Sequence, residues 1–411
     1  MLRGPATWRK TPLLHAEHAG VGRAGVGALQ PALQPPDLVV DGVAVKALVV
    51  AGARPNFIKV APLLEALRGA GHRGVLVHTG QHYDVTMSDS FFRDLRLPRP
   101  DHELGVGSGT RAQQIARVME RFEPVLLDVW PDWVVVVGDV NSTLACALVA
   151  AEHRAEIGCR IAHVEAGLRS GDWTMPEEVN RVLTDRIADL LLIPSIDAGQ
   201  NLGAEGIEAD RIVMVGNVMI DTLLEALPRA RATDYPRRLS LERGGYAVAT
   251  VHRPSNVDDR PSLEAVLCAL ADIAETMPVV LPMHPRTRKN VEDFRLVGRL
   301  GRLRTTEPLG YVEMLSLSDG AAVVLTDSGG LQEETTVLGV PCVTLRARTE
   351  RPITLSEGTN RMTSWPLTRD GVLASFLAAR GVGRIPTGTR CPDGWDGRAS
   401  ERVVRALESR T

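Results

Sequence analysis

Short apolar runs rich in β-branched residues alternate with longer amphipathic stretches along the chain from Lys46 onward. This alternation is typical of strand–helix–strand units around a parallel sheet, whose strands are covered on both faces and are therefore apolar almost throughout. The strands predicted for a first sheet are 47–50, 75–78, 134–137, 161–164, 190–193 and 212–215, and those for a second sheet are 247–251, 279–282, 322–326 and 341–345. The sequence therefore predicts an α/β fold with two sheets.

A chain of 411 residues is long enough for two domains that each bury a core. We predict a first domain over 46–215, a second over 216–395 and a C-terminal helix within 396–411. Residues 1–45 are rich in Ala, Gly, Pro, Arg and Leu and show no apolar periodicity, so we predict a disordered extension. We expect a chain that begins at Lys46 to fold and to turn over normally.

Composition excludes several classes of partner. The chain has 47 basic and 50 acidic residues, and a net charge of −3 gives no electrostatic basis for binding nucleic acid or an anionic membrane. No apolar stretch approaches the roughly 20 residues of a membrane-spanning helix. Five cysteines without CxxC spacing and ten histidines without HxxxH spacing argue against a disulfide framework and a zinc site. We therefore expect a cytoplasmic protein without a metal.

Polar or glycine-rich clusters follow nearly every predicted strand. In open α/β sheets, ligands bind beyond the carboxyl ends of the strands, so these clusters are where chemistry is expected. Neither a Walker A sequence nor GxGxxG is present, which argues against a P-loop enzyme. The clusters read AGARP, TGQHYD, GDVNST, HVEAGLR, VHRPSN, MHP and TDSGG.

The segment TDSGG is interpreted as a strand end, a tight turn over Ser328, Gly329 and Gly330, and a helix that opens at Leu331. Glycines let the backbone approach a ligand, and the N–H groups at a helix N-terminus attract phosphate. Glu334, one turn into this helix, would repel phosphate unless it accepted hydrogen bonds from hydroxyls such as those of a ribose. A nucleoside diphosphate is therefore favoured over a βα turn that binds nothing.

Charged residues near other strand ends are candidates for binding and catalysis. Arg54 and Lys59, at the start of a predicted helix, can converge on one anion or be ordinary solvated charges. Carboxylates gathered in a cleft shift each other's pKa and can divide acid and base duties, although capping or ion pairing is an equally good explanation for each one. The candidate carboxylates are Asp139, Glu165 and Glu177.

Further along the chain, the sequence leaves open whether Glu177 or its neighbour Glu178 faces solvent. Arg181, one turn later, can pair with Glu177 or with a phosphate. His252 and His284 each follow a predicted strand, where an imidazole can bind phosphate or move a proton, or can simply be structural.

These motifs, in this order, resemble the non-hydrolysing UDP-N-acetylglucosamine 2-epimerases, and within them a subgroup marked by TGQHYD followed by MS and FF. The similarity covers residues 46–407 and is specific, because many separate motifs occur in the family's order. They are GARPNFIK, TGQHYD, GDVNSTLA, HVEAGLRS, MPEEVNR, VGNVMID, HRPSNVD, LTDSGGLQEE, ERP and EGTN.

The resemblance implies two Rossmann-like domains in a GT-B arrangement, with the ligand in the interdomain cleft and the C-terminal helix returning to the N-terminal domain. It also implies a homodimer, a UDP-sugar substrate and no cofactor. It places UDP on Arg54, Lys59, His252, Ser328, Gly329, Gly330, Glu334 and Arg351, with Glu334 on the ribose. It nominates Asp139, Glu165, Glu177 and His252 for catalysis, by elimination of UDP to 2-acetamidoglucal and re-addition with inversion at C2.

The chain departs from the family pattern at three positions. Val140 replaces the threonine of GDTNST, which removes a hydroxyl beside Asp139. Met314 stands where an aromatic residue commonly packs near the uracil. Asp84 stands where members with a second, regulatory substrate site have glutamine, so activation at such a site is not expected here.

Four alternative functions fit parts of the sequence. A hydrolysing epimerase would form the same glucal but release N-acetylmannosamine and UDP, and a related enzyme would epimerise a UDP-diacetamido-uronic sugar. A GT-B glycosyltransferase would not need Asp139 and Glu177. A non-catalytic sensor of nucleotide sugars would keep the phosphate-binding residues and lose those carboxylates, whereas this chain has both.

Overall fold

The predicted apolar runs form two parallel sheets within residues 44–81 and 94–411, the parts of the chain that this computed structural model describes. The first sheet has seven strands in the order β3-β2-β1-β4-β5-β6-β7. Its strands are β1 (Lys46–Ala51), β2 (Arg73–His78), β3 (His102–Glu103), β4 (Trp133–Val137), β5 (Arg160–Val164), β6 (Leu190–Ile193) and β7 (Ile212–Met214).

The second sheet has six strands in the order β10-β9-β8-β11-β12-β13, and all its pairings are parallel. Its strands are β8 (Ala247–Thr250), β9 (Val279–Pro282), β10 (Arg304–Thr306), β11 (Val323–Thr326), β12 (Cys342–Thr344) and β13 (Asn360–Met362). In both sheets the order reverses beside the first strand, between β1 and β4 and between β8 and β11. Ligands of open α/β sheets bind at such a reversal, beyond the carboxyl ends of the strands.

In the described residues, helices connect most successive strands and cover the sheets. Those of the first half are α1 (Arg54–Gly69), α2 (Arg111–Val129), α3 (Asn141–Glu152), α4 (Arg154–Ile157), α5 (Pro176–Ile187) and α6 (Ile196–Ala204). Those that follow are α7 (Val218–Thr233), α8 (Tyr235–Arg238), α9 (Pro254–Val257), α10 (Arg260–Ala274), α11 (Pro285–Asp293), α12 (Tyr311–Gly320), α13 (Gly329–Leu338), α14 (Ile353–Ser356), α15 (Arg369–Val382) and α16 (Ala399–Glu408). Two short 3₁₀ turns lie at Ala209–Arg211 and Val297–Leu300.

The two sheets share one continuous apolar core. It runs from one face of the first sheet through the buried sides of α1, α7 and α16 to the second sheet. Thr222 on α7 donates a hydrogen bond to the carbonyl of Ile58 on α1 at 2.5 Å. The described residues, 44–81 and 94–411, form one compact unit by their contacts, and the division into two domains at 215/216 stays a prediction.

The last helix packs against the first one, as α16 contacts α1. His72, at the end of the turn after α1, hydrogen-bonds Glu408 at 2.8 Å, and the Trp133 indole of β4 donates to the Thr411 hydroxyl at 3.0 Å. At the other end of α16, the Asp221 carboxylate of α7 accepts from the backbone N–H groups of Ala399 and Ser400 at 3.0 and 2.7 Å. The chain thus returns to the first sheet at its end.

Within the described residues, no helix is long and apolar enough to cross a membrane. Residues 1–43 and 82–93 lie outside the description. The predicted disordered extension, apart from residues 44–45, and half of the TGQHYD motif, including Asp84, therefore fall on residues whose structure is not described.

Candidate functional site

The clusters that follow β1, β4, β5, β8 and β11 meet where the strand orders of the two sheets reverse. On the first sheet, Asn56 fixes the turn after β1, because its side-chain oxygen accepts from the N–H groups of Gly52 and Ala53 at 3.1 and 3.0 Å. Its side-chain nitrogen donates to the carbonyl of Val137, the last residue of β4, at 2.9 Å. One buried amide therefore joins the two strand ends that flank the reversal.

A buried histidine fixes the turn after β4 by hydrogen bonding. His163 of β5 donates from Nε2 to the Gly138 carbonyl at 2.8 Å and from Nδ1 to Asp185 at 2.6 Å, and both side chains are fully buried. Burial alone would raise the pKa of Asp185, but the charges of His163 and Arg169 outweigh it and hold that pKa below its ordinary value. This network positions Asp139, the next residue along the chain.

Glu165 directly follows β5 and joins the two halves of the molecule. Its carboxylate forms an ion pair with Lys59 of α1 and another with Arg351 at 3.1 Å. All three side chains are at least nine-tenths buried. Glu165 also has a φ of +69°, in the left-handed region that non-glycine residues seldom adopt. Such strain persists only where the surroundings enforce it, and it concentrates at functional sites.

Asp139 forms an ion pair with Arg181 of α5. Burial works to raise the pKa of Asp139, yet the charges of Arg181 and Lys59 prevail and lower it. Arg181 also contacts Glu178 at 2.9 Å, so it pairs with Glu178 and Asp139. Asp139 is therefore ionised at neutral pH and is held in place by a buried guanidinium.

The neighbouring carboxylates Glu177 and Glu178 occupy different environments. Glu178 is 1% exposed and accepts from the backbone N–H groups of Ser170 and Gly171 as well as from the Ser170 hydroxyl at 2.9 Å. Glu177 is exposed at the first turn of α5. Of the two, Glu177 is thus the one that faces solvent, and Glu178 anchors the preceding loop.

Arg351 lies against the N-terminus of α13. A Cβ atom added at Gly329 would be 2.7 Å from a terminal nitrogen of its guanidinium, so only glycine lets this cation approach the helix so closely. The helix begins at Gly329, two residues before the predicted opening at Leu331, because Ser328 is its N-cap and its hydroxyl accepts from the N–H of Leu331 at 3.5 Å. A buried cation and a helix N-terminus thus share one location, which favours an anion.

Two further carboxylates fix the Arg351 guanidinium. Glu333 of α13 contacts its Nε at 2.7 Å, and Glu350 contacts Nη1 at 3.0 Å. Glu350 also pairs with Arg346 at 2.6 Å and with Arg253 at 3.3 Å. Burial would raise the pKa of Glu350, but the surrounding guanidinium groups, Arg351 first, keep it far below its usual range.

Glu334, the predicted ribose ligand, is 5% exposed on α13. Burial raises its pKa from 4.5 to about 7. Burial likewise raises the pKa of Glu333 to about 7, against the opposing charge of Arg351. Both carboxyl groups are therefore able to change protonation state near neutral pH.

His252 follows β8 and is oriented by Asp327, the residue that follows β11. Its Nδ1 donates to the Asp327 carboxylate at 2.8 Å. Asp327 is fully buried and also accepts from the N–H of Arg253 at 2.9 Å and from the side chain of Asn256 at 3.0 Å. The His284 ring centroid lies 5.7 Å from that of His252, and His284 caps α11 by accepting from the N–H of Arg286 at 3.2 Å.

The structure brings some of the predicted residues into direct contact and leaves others apart. Lys59, Glu165 and Arg351 form one ion-pair cluster, and Asp139 and Arg181 form a second beside it. The side chain of Arg54 lies outside the described part of the structure. Gly330 lies in the first turn of α13, next to Met219, and Met314 of α12 packs half-buried against the shared core.

Sequence reasoning missed several residues that shape the site. The partners of Asp327 lie 71 to 75 residues away, so spacing does not reveal them. Glu178 pairs with Arg181 and Glu350 with Arg346, which are near in sequence, but neither carboxylate was predicted to have a role. Asp327 nevertheless directly follows a predicted strand, and that position alone could have nominated it. Glu350 belongs to the ERP motif and stands next to Arg351.

Comparison with known proteins shows which family the chain is similar to. The protein-family model described as UDP-N-acetylglucosamine 2-epimerase matches residues 65–408. The UDP-N-acetylglucosamine 2-epimerase of Methanocaldococcus jannaschii is 39% identical over 370 residues, which cover 88% of this chain and 98% of that protein. A UDP-2,3-diacetamido-2,3-dideoxy-D-glucuronate 2-epimerase of Pseudomonas aeruginosa is 43% identical over 312 residues, which cover 74% of this chain and 84% of that protein.

A solved structure has the same fold. The crystal structure of the M. jannaschii UDP-GlcNAc 2-epimerase in complex with UDP-GlcNAc and UDP superposes with a TM-score of 0.80 at 38% identity, covering 89% of this chain and 99% of that one. Together with the two parallel sheets, this likeness confirms the predicted fold class, α/β with two Rossmann-like domains in a GT-B arrangement.

Proposed function

The chain belongs to the UDP-N-acetylglucosamine 2-epimerase family, and from this premise we propose that it is a non-hydrolysing enzyme that interconverts UDP-N-acetylglucosamine and UDP-N-acetylmannosamine. One observation carries the proposal: cations and carboxylates from both halves meet in the Lys59, Glu165 and Arg351 cluster at the strand-order reversals. Such a site supplies both an anion-binding surface and the groups that move a proton.

The nucleotide would lie along the N-terminus of α13. Arg351, Lys59 and the N–H groups that follow Ser328 would bind the diphosphate, and Glu334 would accept hydrogen bonds from the ribose hydroxyls. His252, Arg54 and His284 are proposed to contribute to the same phosphate-binding surface. Met314 is proposed to pack near the uracil.

The reaction that suits this site is elimination followed by re-addition. The hydrogen at C2 of the sugar is barely acidic and becomes removable only as the anomeric C–O bond breaks. A carboxylate takes the proton, the C–H electrons form the C1–C2 double bond, and UDP leaves with the electrons of the C–O bond. UDP then adds back to C1 while a proton is delivered to the opposite face of C2, which inverts that carbon.

Electrostatics would provide much of the catalysis. Negative charge builds on the departing diphosphate, where Arg351, Lys59 and the positive end of α13 can stabilise it. Asp139, ionised by its pairing with Arg181, can accept a proton, and Glu165 and the exposed Glu177 complete the set of proposed acids and bases.

A second candidate is 2-epimerisation of UDP-2,3-diacetamido-2,3-dideoxy-D-glucuronate. The 43% identity to the P. aeruginosa enzyme of that name favours it, and the chemistry at C1 and C2 would be the same. Assays with both nucleotide sugars decide between the candidates by their kcat/KM values. Release of free N-acetylmannosamine instead of its UDP derivative would identify the hydrolysing reaction.

Turnover of UDP-N-acetylglucosamine in heavy water, followed by proton NMR, tests the mechanism. Elimination and re-addition require solvent exchange at C2, so the product should carry deuterium there. Epimerisation that leaves C2 fully protiated would overturn the proposed pathway, because the hydrogen would then never have left the sugar.

Variants of the carboxylates test the residue assignment. Asp139→Asn and Glu177→Gln should each bind UDP normally and lose turnover by at least roughly 10²-fold, the range typical of general acid–base catalysis. Calorimetry with UDP and the NMR assay measure the two properties separately. Near-normal rates in both variants would remove these two residues from the chemistry.

We also propose a cytoplasmic location and a homodimer. All five cysteines are free thiols, which suits a reducing compartment. Sedimentation of the purified protein would test the dimer.

A further inference from the structure

The carboxylate of Glu165 occupies the position between two cations that a phosphate group would be expected to take. Lys59 and Arg351 both contact it, and the side-chain exposures are 7% for Lys59, 8% for Arg351 and 4% for Glu165. Arg351 at the same time touches the N-terminus of α13 at Gly329. An anion is therefore already present at this cation site, and the chain itself supplies it.

We propose that Glu165 is a resident anion of the diphosphate site, which the incoming nucleotide displaces from Lys59 and Arg351. This inference rests on the proposed function, because it assumes that the diphosphate binds these two cations. Substrate binding is then an exchange of ion pairs. The phosphate oxygens bind both cations, and the Glu165 carboxylate is released.

Burial explains why such an exchange is useful. A buried Lys59 without a counter-ion would be strongly destabilising, and Glu165 neutralises it while the site holds no ligand. Glu333 and Glu350 stay bound to other nitrogens of Arg351, so its guanidinium keeps its orientation when Glu165 leaves. The positions of the cations are thus fixed in advance of the substrate.

The exchange also connects binding to chemistry. A carboxylate that no longer contacts Lys59 and Arg351 has both of its oxygens available to accept a proton. Glu165 is held in a left-handed backbone conformation, at a φ of +69°, by its place at the end of β5. Release from Lys59 and Arg351 would therefore provide a competent proton acceptor only when a nucleotide diphosphate is present.

The decisive test is the affinity for UDP of the full chain carrying Glu165→Gln, measured by calorimetry. If Glu165 holds the cations in about nine of ten ligand-free molecules, its removal should tighten UDP binding about tenfold. Affinity for uridine, which has no phosphates, should stay the same. A residue that merely supports the site would instead weaken UDP binding when it is changed.

Glu333→Gln is the matched control, since Glu333 is also a buried carboxylate on Arg351 but contacts Nε. It should tighten UDP binding markedly less than Glu165→Gln. Unchanged or weaker UDP binding by Glu165→Gln, an equal gain in both variants, or an equal gain for uridine would each overturn the proposal.

A second variant tests the proposal if Glu165→Gln fails to fold. Glu165→Asp keeps the charge on a shorter side chain that cannot reach both cations equally, so its UDP affinity should lie between those of the wild type and Glu165→Gln. An affinity for UDP at or below that of the wild type would contradict the exchange. These measurements need no turnover, so a wild-type protein that binds UDP but fails to epimerise the sugar would refute the proposed reaction without affecting this result.

Discussion

Single residues of one type differ sharply in environment within this site. Glu177 and Glu178 are adjacent in sequence, yet one is exposed and the other is buried among backbone N–H groups and Arg181. The sequence could not separate them, because the difference arises from a loop, Ser170 and Gly171, that folds back onto α5.

His252 was predicted for its place after a strand, but its orienting partner Asp327 lies 75 residues away.

A prediction at this scale concerns Glu334, whose pKa burial raises to about 7. If the ribose hydroxyls donate to its carboxylate, binding needs the ionised form, and affinity is lost as the pH falls through 7. Uridine should therefore bind about tenfold more weakly at pH 6 than at pH 8, since the ionised fraction falls by that factor. Isothermal calorimetry with uridine measures this change in affinity across the pH range. Uridine has no phosphate that would itself titrate there.

Two variants make this prediction specific. Glu334→Gln should bind uridine weakly and without pH dependence. Glu333→Gln should keep a dependence on pH, moved to lower pH, because the charge of Glu333 contributes to the raised pKa of Glu334. A uridine affinity in the wild type that does not change between pH 6 and pH 8 would rule out Glu334 as an ionised ribose ligand.

The strands in the centre of each sheet follow from the sequence, whereas of the four edge strands only β7 does. All ten predicted strands are present, with bounds that differ by at most two residues. The strands that were missed are β3, β10 and β13, which have two or three residues each and lie at sheet edges. An edge strand is covered on fewer sides, so it needs no apolar run and leaves no periodic pattern to detect.

At the scale of elements, we predict that Asp221 stabilises the protein more than an ordinary helix cap does. It lies on α7 and caps α16, so it joins two helices that are distant in sequence. An N-cap Asp→Ala change costs about 0.5–2 kcal/mol. Asp221→Ala should reach or exceed the upper end of that range in urea unfolding, because the packing of α16 is weakened as well.

Asp259 provides the comparison for this measurement. It caps α10 by accepting from the N–H of Ser262 at 3.0 Å, in an exposed setting and within one element. Asp259→Ala should therefore lower the free energy of unfolding by an ordinary capping amount. An equal or smaller loss for Asp221→Ala would show that the contact between α7 and α16 adds nothing to stability.

At the scale of the whole molecule, the two halves are joined by direct contacts as well as by the connecting chain. The apolar core continues from one sheet to the other, and Glu165 on the first sheet contacts Arg351 beyond the second. The resemblance of the sequence motifs to the epimerase family predicted both the GT-B arrangement and the return of the last helix. Apolar periodicity alone predicted two sheets but could not show that they share a core, since that depends on which faces meet.

The return of α16 to α1 has a consequence for synthesis on the ribosome. The strands and helices of the first half emerge early. The surface of α1 that α16 covers, the Nε2 of His72 and the indole N–H of Trp133 nevertheless lack their contacts with the C-terminus until the final residues have been translated. Contacts between residues so far apart in sequence close late and slowly. The nascent first half thus carries an uncovered apolar face through most of translation, and a chain terminated shortly before residue 399 would never cover it.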